Sequence, residues 1–308
     1  MRRTTPVVLL GATAGGKSEI ALRLARLVGG EIVGADSRQI YRGLEIGTAA
    51  PSASDRAVAP HHLASFLAPD EIYSAGRYAR EAAPVLEEIA ARGRVPIVVG
   101  GSGLYLRALL DGLFEGPERD PALRATLDDR LKREGLGALR AELARVDPVA
   151  LASILPNDSV RVIRALEVHA LTGRPISELR RERRREGIAS RRYGIRWRRE
   201  PLATRIANRI QDQLRDGFLV QALELLDTGY PPEAPGLHTL GYRELLSHLR
   251  GRTSLDEAVA TIALRTRQLA KRQETWFRAT GDVTWFDLES AEQFTGIAQS
   301  IAERIQGE

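Results

Sequence analysis

Residues 11 to 18, GATAGGKS, follow the spacing G-x-x-x-x-G-K-S. Such a loop turns backbone N–H groups toward an anion at the start of a helix, whose dipole adds to the field. Gly11, Gly15 and Gly16 supply unusual backbone angles and let a phosphate approach the main chain, with Ala12, Thr13 and Ala14 completing the cradle. Lys17 contributes a point charge, and Ser18 a hydroxyl able to hold Mg²⁺. Lysine is otherwise rare: the chain has only Lys17, Lys132 and Lys271, and writes arginine elsewhere. A compact ammonium fits the loop where a planar guanidinium would not. The loop is expected to bind a polyphosphate.

Asp36 stands just past a second short apolar run, Ile32-Val33. A carboxylate there could be a Mg²⁺ ligand, a general base or a cap for the next segment. A third run, Val95 to Val99, leads into GGSG, residues 100 to 103, and ends without an acid, which counts against simple ATP hydrolysis. That turn reads as a second anion-friendly edge, with the Ser102 hydroxyl as a placed donor. His61-His62 invites a metal reading, but neighbouring strand residues face opposite ways and no carboxylate pattern completes a ligand set. Residues 180 to 199 hold ten arginines against Glu182 and Glu186. The stripe reads equally as a nucleic-acid footprint or as a solvated helix followed by an arginine-rich strand. The segment TRQLAKRQETWFR, 266 to 278, sets Arg267, Gln268, Lys271 and Arg272 on neighbouring helical faces, with the same two readings.

Strands and helices must position these groups. Pro6 to Leu10 reads as a buried parallel strand, followed by a helix with Ile20, Leu24, Leu27 and Val28 at helical spacing and a stop at Gly29-Gly30. A helical pattern spans Ser74 to Arg92, where Pro84 is expected to kink it or begin a new segment. The repeated order of strand, loop and helix predicts an α/β fold: a P-loop-type parallel sheet flanked by helices. From Pro121 to Arg185 only helical periodicity is found, predicting an all-helical insertion subdomain at 117–189 within a core of 1–116 and 190–308. RYGIRWRR is expected to return to the sheet, with a last strand at Val283 to Phe286.

The chain has 308 residues, 43% of them hydrophobic, and a net charge of +5. That is enough for one large domain with an insertion. Cysteine is absent, which excludes disulfides and thiolate metal sites and suits the cytosol. The run Val7 to Leu10 is too short for a signal peptide or a membrane span. No membrane association is expected.

Taken together, the motifs resemble those of the tRNA dimethylallyltransferases, or isopentenyl-tRNA transferases. GATAGGKSEIA is similar to their phosphate loop, and GADSRQIYRGLEIGTAAP to their DSxQ stretch. PHHL, VVGGSGLYLRALLDG, RVIRALEVHALTGRPISE, LGYRE and TRQLAKRQETWFR follow in the family's order, from about residue 6 to 280. The resemblance implies transfer of a dimethylallyl group from dimethylallyl diphosphate to N6 of adenosine 37, beside the tRNA anticodon. Asp36 then falls on the general base, Ser102 on the hydroxyl near the reacting groups, and Gly11 to Ser18 on the diphosphate loop, with Arg209 nearby. Asp36, Ser37, Arg38, Gln39, Ser102, Arg124, Arg161, Arg164, His238, Gly241, Tyr242 and Arg243 fall on positions that touch tRNA. The insertion would clasp the anticodon stem-loop, with binding weakened by salt. Mg²⁺ is the implied cofactor, and the chain is expected to act as a cytoplasmic monomer. Ala12 and Gly15 depart from the family's proline and serine, Ala50 from a common lysine, and HHLAS lacks an acid after HHL. An adenylate isopentenyltransferase, a small-molecule kinase and a non-catalytic RNA-binding protein are the competing readings.

Overall fold

The computed structural model describes residues 4–112, 116–182 and 187–307. By their contacts the residues form two compact units, 1–110 with 188–308, and 111–187. In chain order the first stretch runs β1 (Val7–Gly11), α1 (Lys17–Val28), β2 (Gly30–Gly34), α2 (Glu45–Thr48), α3 (Ala53–Val58), β3 (His61–His62), α4 (Ala75–Ala91), β4 (Val95–Gly100) and α5 (Gly103–Leu110). The second unit holds α6 (Pro121–Val146), α7 (Pro148–Ala152), α8 (Ser159–Thr172) and α9 (Ile176–Glu182). The first unit resumes with β5 (Arg191–Trp197), α10 (Arg199–Arg215), α11 (Phe218–Asp227), α12 (Tyr242–Leu249), α13 (Leu255–Arg278), β6 (Val283–Leu288) and α14 (Gln293–Gln306).

All strand pairs are parallel, in the order β3-β2-β4-β1-β5-β6. Every residue of β1 and β4 is buried, so neither strand alternates. Helices cover both faces of such a sheet, and continuous apolar runs are its sequence signature. Leu9 pairs Val99 on one side and Tyr193 on the other, which sets the carboxyl ends of β1, β4 and β5 side by side. In an open parallel sheet that edge carries the ligand.

Boundaries moved for local reasons. Gly29 adopts the left-handed conformation that closes α1, its N–H bonding the Ala25 carbonyl, and the chain is free to enter β2 at Gly30 instead of Ile32. Pro84 does not begin a new segment, because α4 runs unbroken through it. The ring lies on the exposed face, where water can replace the lost backbone bond. The arginine stripe divides as its plainer reading predicts, into α9 and β5, although residues 183–186 lie outside the described set.

Among its described residues the second unit contains helices only. Leu127, Leu139, Leu143, Val162, Ile163 and Leu166 form its core. Within it Glu167 is wholly buried. Its carboxylate accepts from Arg164 at 2.6 Å and from the Asp120 N–H at 3.1 Å, and lies 3.3 Å from Arg124 Nε. Arg164 also donates to the Pro117 carbonyl at 2.6 Å. Removing one member of a buried ionic cluster strands the other charges. Glu167→Ala is expected to cost about 3 kcal/mol in thermal unfolding. Glu167→Gln, which keeps an acceptor for Asp120, should cost less.

Candidate functional site

The phosphate loop is held from behind through its carbonyls. Lys17 Nζ donates to Ala12 O at 2.7 Å, Arg205 Nε to Ala14 O at 3.0 Å and Trp197 Nε1 to Gly15 O at 3.0 Å. Arg205 lies over the Trp197 ring at 4.7 Å and the Phe294 ring at 5.3 Å, so its flat guanidinium packs as well as donates. With carbonyls drawn back, N–H groups are left to face an anion. Thr13 N–H and Gly15 N–H are themselves taken, by Gln273 Oε1 at 2.8 Å and by Ala12 O at 3.2 Å. The cradle therefore centres on Gly16, Lys17 and Ser18 at the start of α1. Gly16 has φ +83°, and a Cβ there would lie 2.2 Å from the Phe294 ring, so both backbone and space demand glycine.

Lys17 is buried, and desolvation pulls its pKa down to about 8 against the pull of Asp36, with Arg209 adding to the fall. Burial also lowers Arg209, again opposed by Asp36 and assisted by Arg205. Two desolvated cations thus face one carboxylate beside a ring of N–H donors. Asp36 is half-buried at the end of β2, and its Oδ1 accepts the Arg38 N–H at 2.9 Å, which fixes the carboxylate. Ser102 Oγ accepts the Ser37 N–H at 2.8 Å and donates to Ser37 Oγ at 3.1 Å, while its own N–H bonds Ala35 O at 3.2 Å. The structure thus brings Asp36, Ser37, Ser102, Lys17 and Arg209 to one sheet edge. Ser18 is exposed at the start of α1.

The glycines of the turn after β4 leave room for side chains packed against it. A Cβ on Gly101 would meet Gln273 Nε2 at 2.4 Å, and one on Gly103 would meet Trp276 Nε1 at 2.3 Å. Both partners come from α13, whose Arg267, Gln268, Lys271 and Arg272 are exposed. The segment of α2 is clasped in the same way. Gln39 donates to Thr48 O and Ala49 O, Arg209 to Thr48 O at 3.2 Å, and Gln213 to Ile46 O and Gly47 O. The Gly47 N–H donates to the Tyr242 hydroxyl at 3.0 Å.

The residues matched to tRNA positions divide by environment. Arg38, His238 and Arg243 are exposed. Arg38 donates to the Pro235 carbonyl at 3.1 Å. Gly241 and Tyr242 are buried, with Tyr242 packed edge-on against Phe218. Glu244 below them is buried, which opposes its ionisation. The Gly241 N–H, Arg243 and Arg265 outweigh that and hold its carboxyl below the usual range. In the helical unit Arg161 is exposed and pairs with Asp158 at 2.5 Å, whereas Arg124 and Arg164 turn onto Glu167. His62 bonds Glu31 at 2.8 Å and His61 the Ala59 carbonyl at 2.8 Å. Among the described residues no cluster of His, Cys, Asp or Glu could hold a metal.

Sequence reasoning missed Arg205, Trp197 and Gln273. Arg205 precedes Arg209 by one helical turn, and Gln273 sits inside a segment read for its surface charge. A phosphate loop needing donors to its carbonyls was the available signal.

The IPP transferase family model matches residues 39–280. A tRNA dimethylallyltransferase of Geobacter sulfurreducens is 44% identical over 287 residues, covering 92% of each chain. One from Methylococcus capsulatus is 45% identical over 303 residues, covering 97% of each. The crystal structure of the tRNA isopentenylpyrophosphate transferase of Bacillus halodurans superposes with TM-score 0.69 at 34% identity, over 99% of this chain and 97% of that one. A eukaryotic dimethylallyltransferase acting on tRNA superposes with TM-score 0.82 at 28% identity, over 98% of this chain and 78% of that one.

The lowered Lys17 pKa has a measurable consequence. Above about pH 8 the free protein loses the Lys17 proton, which an anion needs present, so affinity for inorganic pyrophosphate should fall up to about tenfold per pH unit. The ligand's own ionisation is common to all variants. The ratio of unsubstituted to Lys17→Met affinity should therefore be constant below pH 8 and decline above it; a ratio flat across pH 7 to 10 would contradict the assignment.

Proposed function

The chain belongs to the IPP transferase family, and from that premise we propose that it transfers a dimethylallyl group from dimethylallyl diphosphate to N6 of adenosine 37 in tRNA. The observation that carries this reading is the edge just described. Asp36, held by the Arg38 N–H, faces Lys17 and Arg209 beside a phosphate loop, and β4 ends without an acid.

The exocyclic amine of adenine is a poor nucleophile, because its lone pair is delocalised into the ring. As N6 forms a bond to C1 of the allyl group, the C1–oxygen bond breaks and its electron pair leaves with diphosphate. The N6 proton passes to the Asp36 carboxylate, whose Oδ1 is engaged by Arg38, leaving Oδ2 to receive it. Lys17, Arg209 and the N–H groups of Gly16 to Ser18 neutralise charge that develops on the leaving oxygens. Ser102 holds the Asp36-Ser37 edge through Ser37. The adenine must turn out of its stack to reach this edge.

Mg²⁺ fits the donor set as a cation carried by diphosphate. Ser18 offers an exposed hydroxyl at the cradle, and the described residues offer no all-protein site. Bound there, the ion would add charge neutralisation to the leaving group. Arg38, Arg243, His238 and Arg161 are exposed groups suited to tRNA contact. Among the described residues no helix is long and apolar enough to cross a membrane. A monomer working in the cytoplasm accords with this reading.

Incubation of the purified chain with labelled dimethylallyl diphosphate, Mg²⁺ and unmodified tRNA, with AMP and ATP as rival acceptors, tests the function. Label should enter tRNA; label confined to free nucleotide would assign the adenylate activity instead. Asp36→Asn should lower transfer by roughly 10²-fold or more with tRNA affinity retained. An unchanged rate would remove Asp36 from the role of base.

A further inference from the structure

We propose that Gln273 is a positioning residue that fixes the spacing between the loop gripping diphosphate and the edge carrying the base; the inference rests on the function proposed above. Strands β1 and β4 are paired neighbours, and their ladder ends at Leu10 and Gly100. Beyond that register the chains part, one into the phosphate loop and the other into the turn that carries Ser102. Gln273, reaching across from α13, supplies the next link. Its Oε1 accepts the Thr13 N–H at 2.8 Å and its Nε2 donates to the Gly101 carbonyl at 2.9 Å. A side-chain amide thus continues the sheet's hydrogen bonding one step past the point where the backbones separate.

The carboxamide has a single workable orientation. Thr13 N–H only donates and Gly101 C=O only accepts, so exchanging the two ends of the amide would break both bonds. Space has been cleared for it as well, since a Cβ on Gly101 would lie 2.4 Å from Nε2. From Gly101 the connection continues to Ser102, from Ser102 Oγ to the Ser37 N–H at 2.8 Å, and from Ser37 to the adjoining Asp36.

The chemistry gives this linkage its consequence. Displacement at C1 requires N6 and the leaving oxygen on opposite sides of one carbon. The leaving group is gripped by the loop that contains Thr13, while the base stands on the edge braced by Ser102. A change in the gap between them moves the reacting atoms out of line even when both substrates are fully bound, and misplacement by about 1 Å costs about 10²-fold. Gln273 touches neither substrate in this scheme; it acts through the two loops.

The test uses the full chain carrying Gln273→Met, which removes both hydrogen bonds at similar volume, or Gln273→Glu, which keeps an acceptor for Thr13 and loses the donor to Gly101. Single-turnover transfer is measured at saturating dimethylallyl diphosphate and tRNA, beside the Kd of inorganic pyrophosphate, the Kd of tRNA and the Tm. Both variants should lose roughly 10- to 100-fold in the saturating rate. Both dissociation constants should stay within about threefold of the unsubstituted chain. A saturating rate within about twofold of the unsubstituted chain in both variants would overturn the inference alone. So would a loss matched by the fraction of protein unable to bind pyrophosphate. Failure of the unsubstituted chain to label tRNA would overturn the function on which the inference stands.

Discussion

Two desolvated cations acting on one carboxylate are the constraint around which the rest of the first unit is arranged. Lys17 and Arg209 are both desolvated, and Asp36 draws on both. A charge moved out of water is costly unless compensated. Lys17 donates to the Ala12 carbonyl and Arg209 to the Thr48 carbonyl. Each is thereby kept ordered in place, and the arriving diphosphate meets preorganised donors instead of freely moving side chains. The same electrostatics explain why one lysine persists inside the loop of a chain otherwise written in arginine. An ammonium can turn between a carbonyl and a phosphate, whereas Arg205, with its wide plane, is used as a wall against Trp197 and Phe294.

Holding that edge rigid falls to residues from the far end of the chain. Trp197 at the end of β5, Arg205 on α10, Gln273 and Trp276 on α13 and Phe294 on α14 all reach the loops that follow β1 and β4. This is where the sequence was least legible. The glycines at 11, 16, 101 and 103 could be read as turn formers or phosphate neighbours, and for Gly16 that is half of the answer. The other half is close approach. Gly11 faces the Ile195 carbonyl, Gly16 the Phe294 ring, Gly101 the Gln273 amide and Gly103 the Trp276 indole. A linear pattern shows that a Cβ is missing, but the group occupying its space belongs to a strand or helix elsewhere in the chain.

The sheet was legible for the opposite reason: its signals are local. A run such as Val7 to Leu10 followed by the glycine loop specifies a buried parallel strand and a helix start within a dozen or so residues. Asp36 and Ser102 followed, because each stands just beyond such a run. Residue direction was not legible. Arg124, Arg164 and Tyr242 lie in segments matched to tRNA contact, yet in this structure the two arginines turn onto Glu167 and Tyr242 is buried against Phe218. Type and spacing assign a residue to a segment; the partner that captures its side chain decides which way it faces.

The position of Asp36, the proposed base, at the cradle is what separates the proposed use of this phosphate loop from phosphoryl transfer. In a kinase or ATPase the attack falls on phosphorus, and the acceptor group must stand over the terminal phosphate with a carboxylate close to the metal. Here the strand that would carry a further acid, β4, ends instead in Gly100 and in a turn tied to α13. At the edge stands Asp36, its Oδ1 accepting the Arg38 N–H and its neighbour Ser37 joined to Ser102. In the function proposed above, Lys17, Arg209 and backbone N–H groups grip the phosphate oxygens, and the anion leaves as a whole. The bond exposed to attack is then the one linking that anion to carbon. On the proposed function, the loop that elsewhere activates a phosphoryl group stabilises a diphosphate on departure.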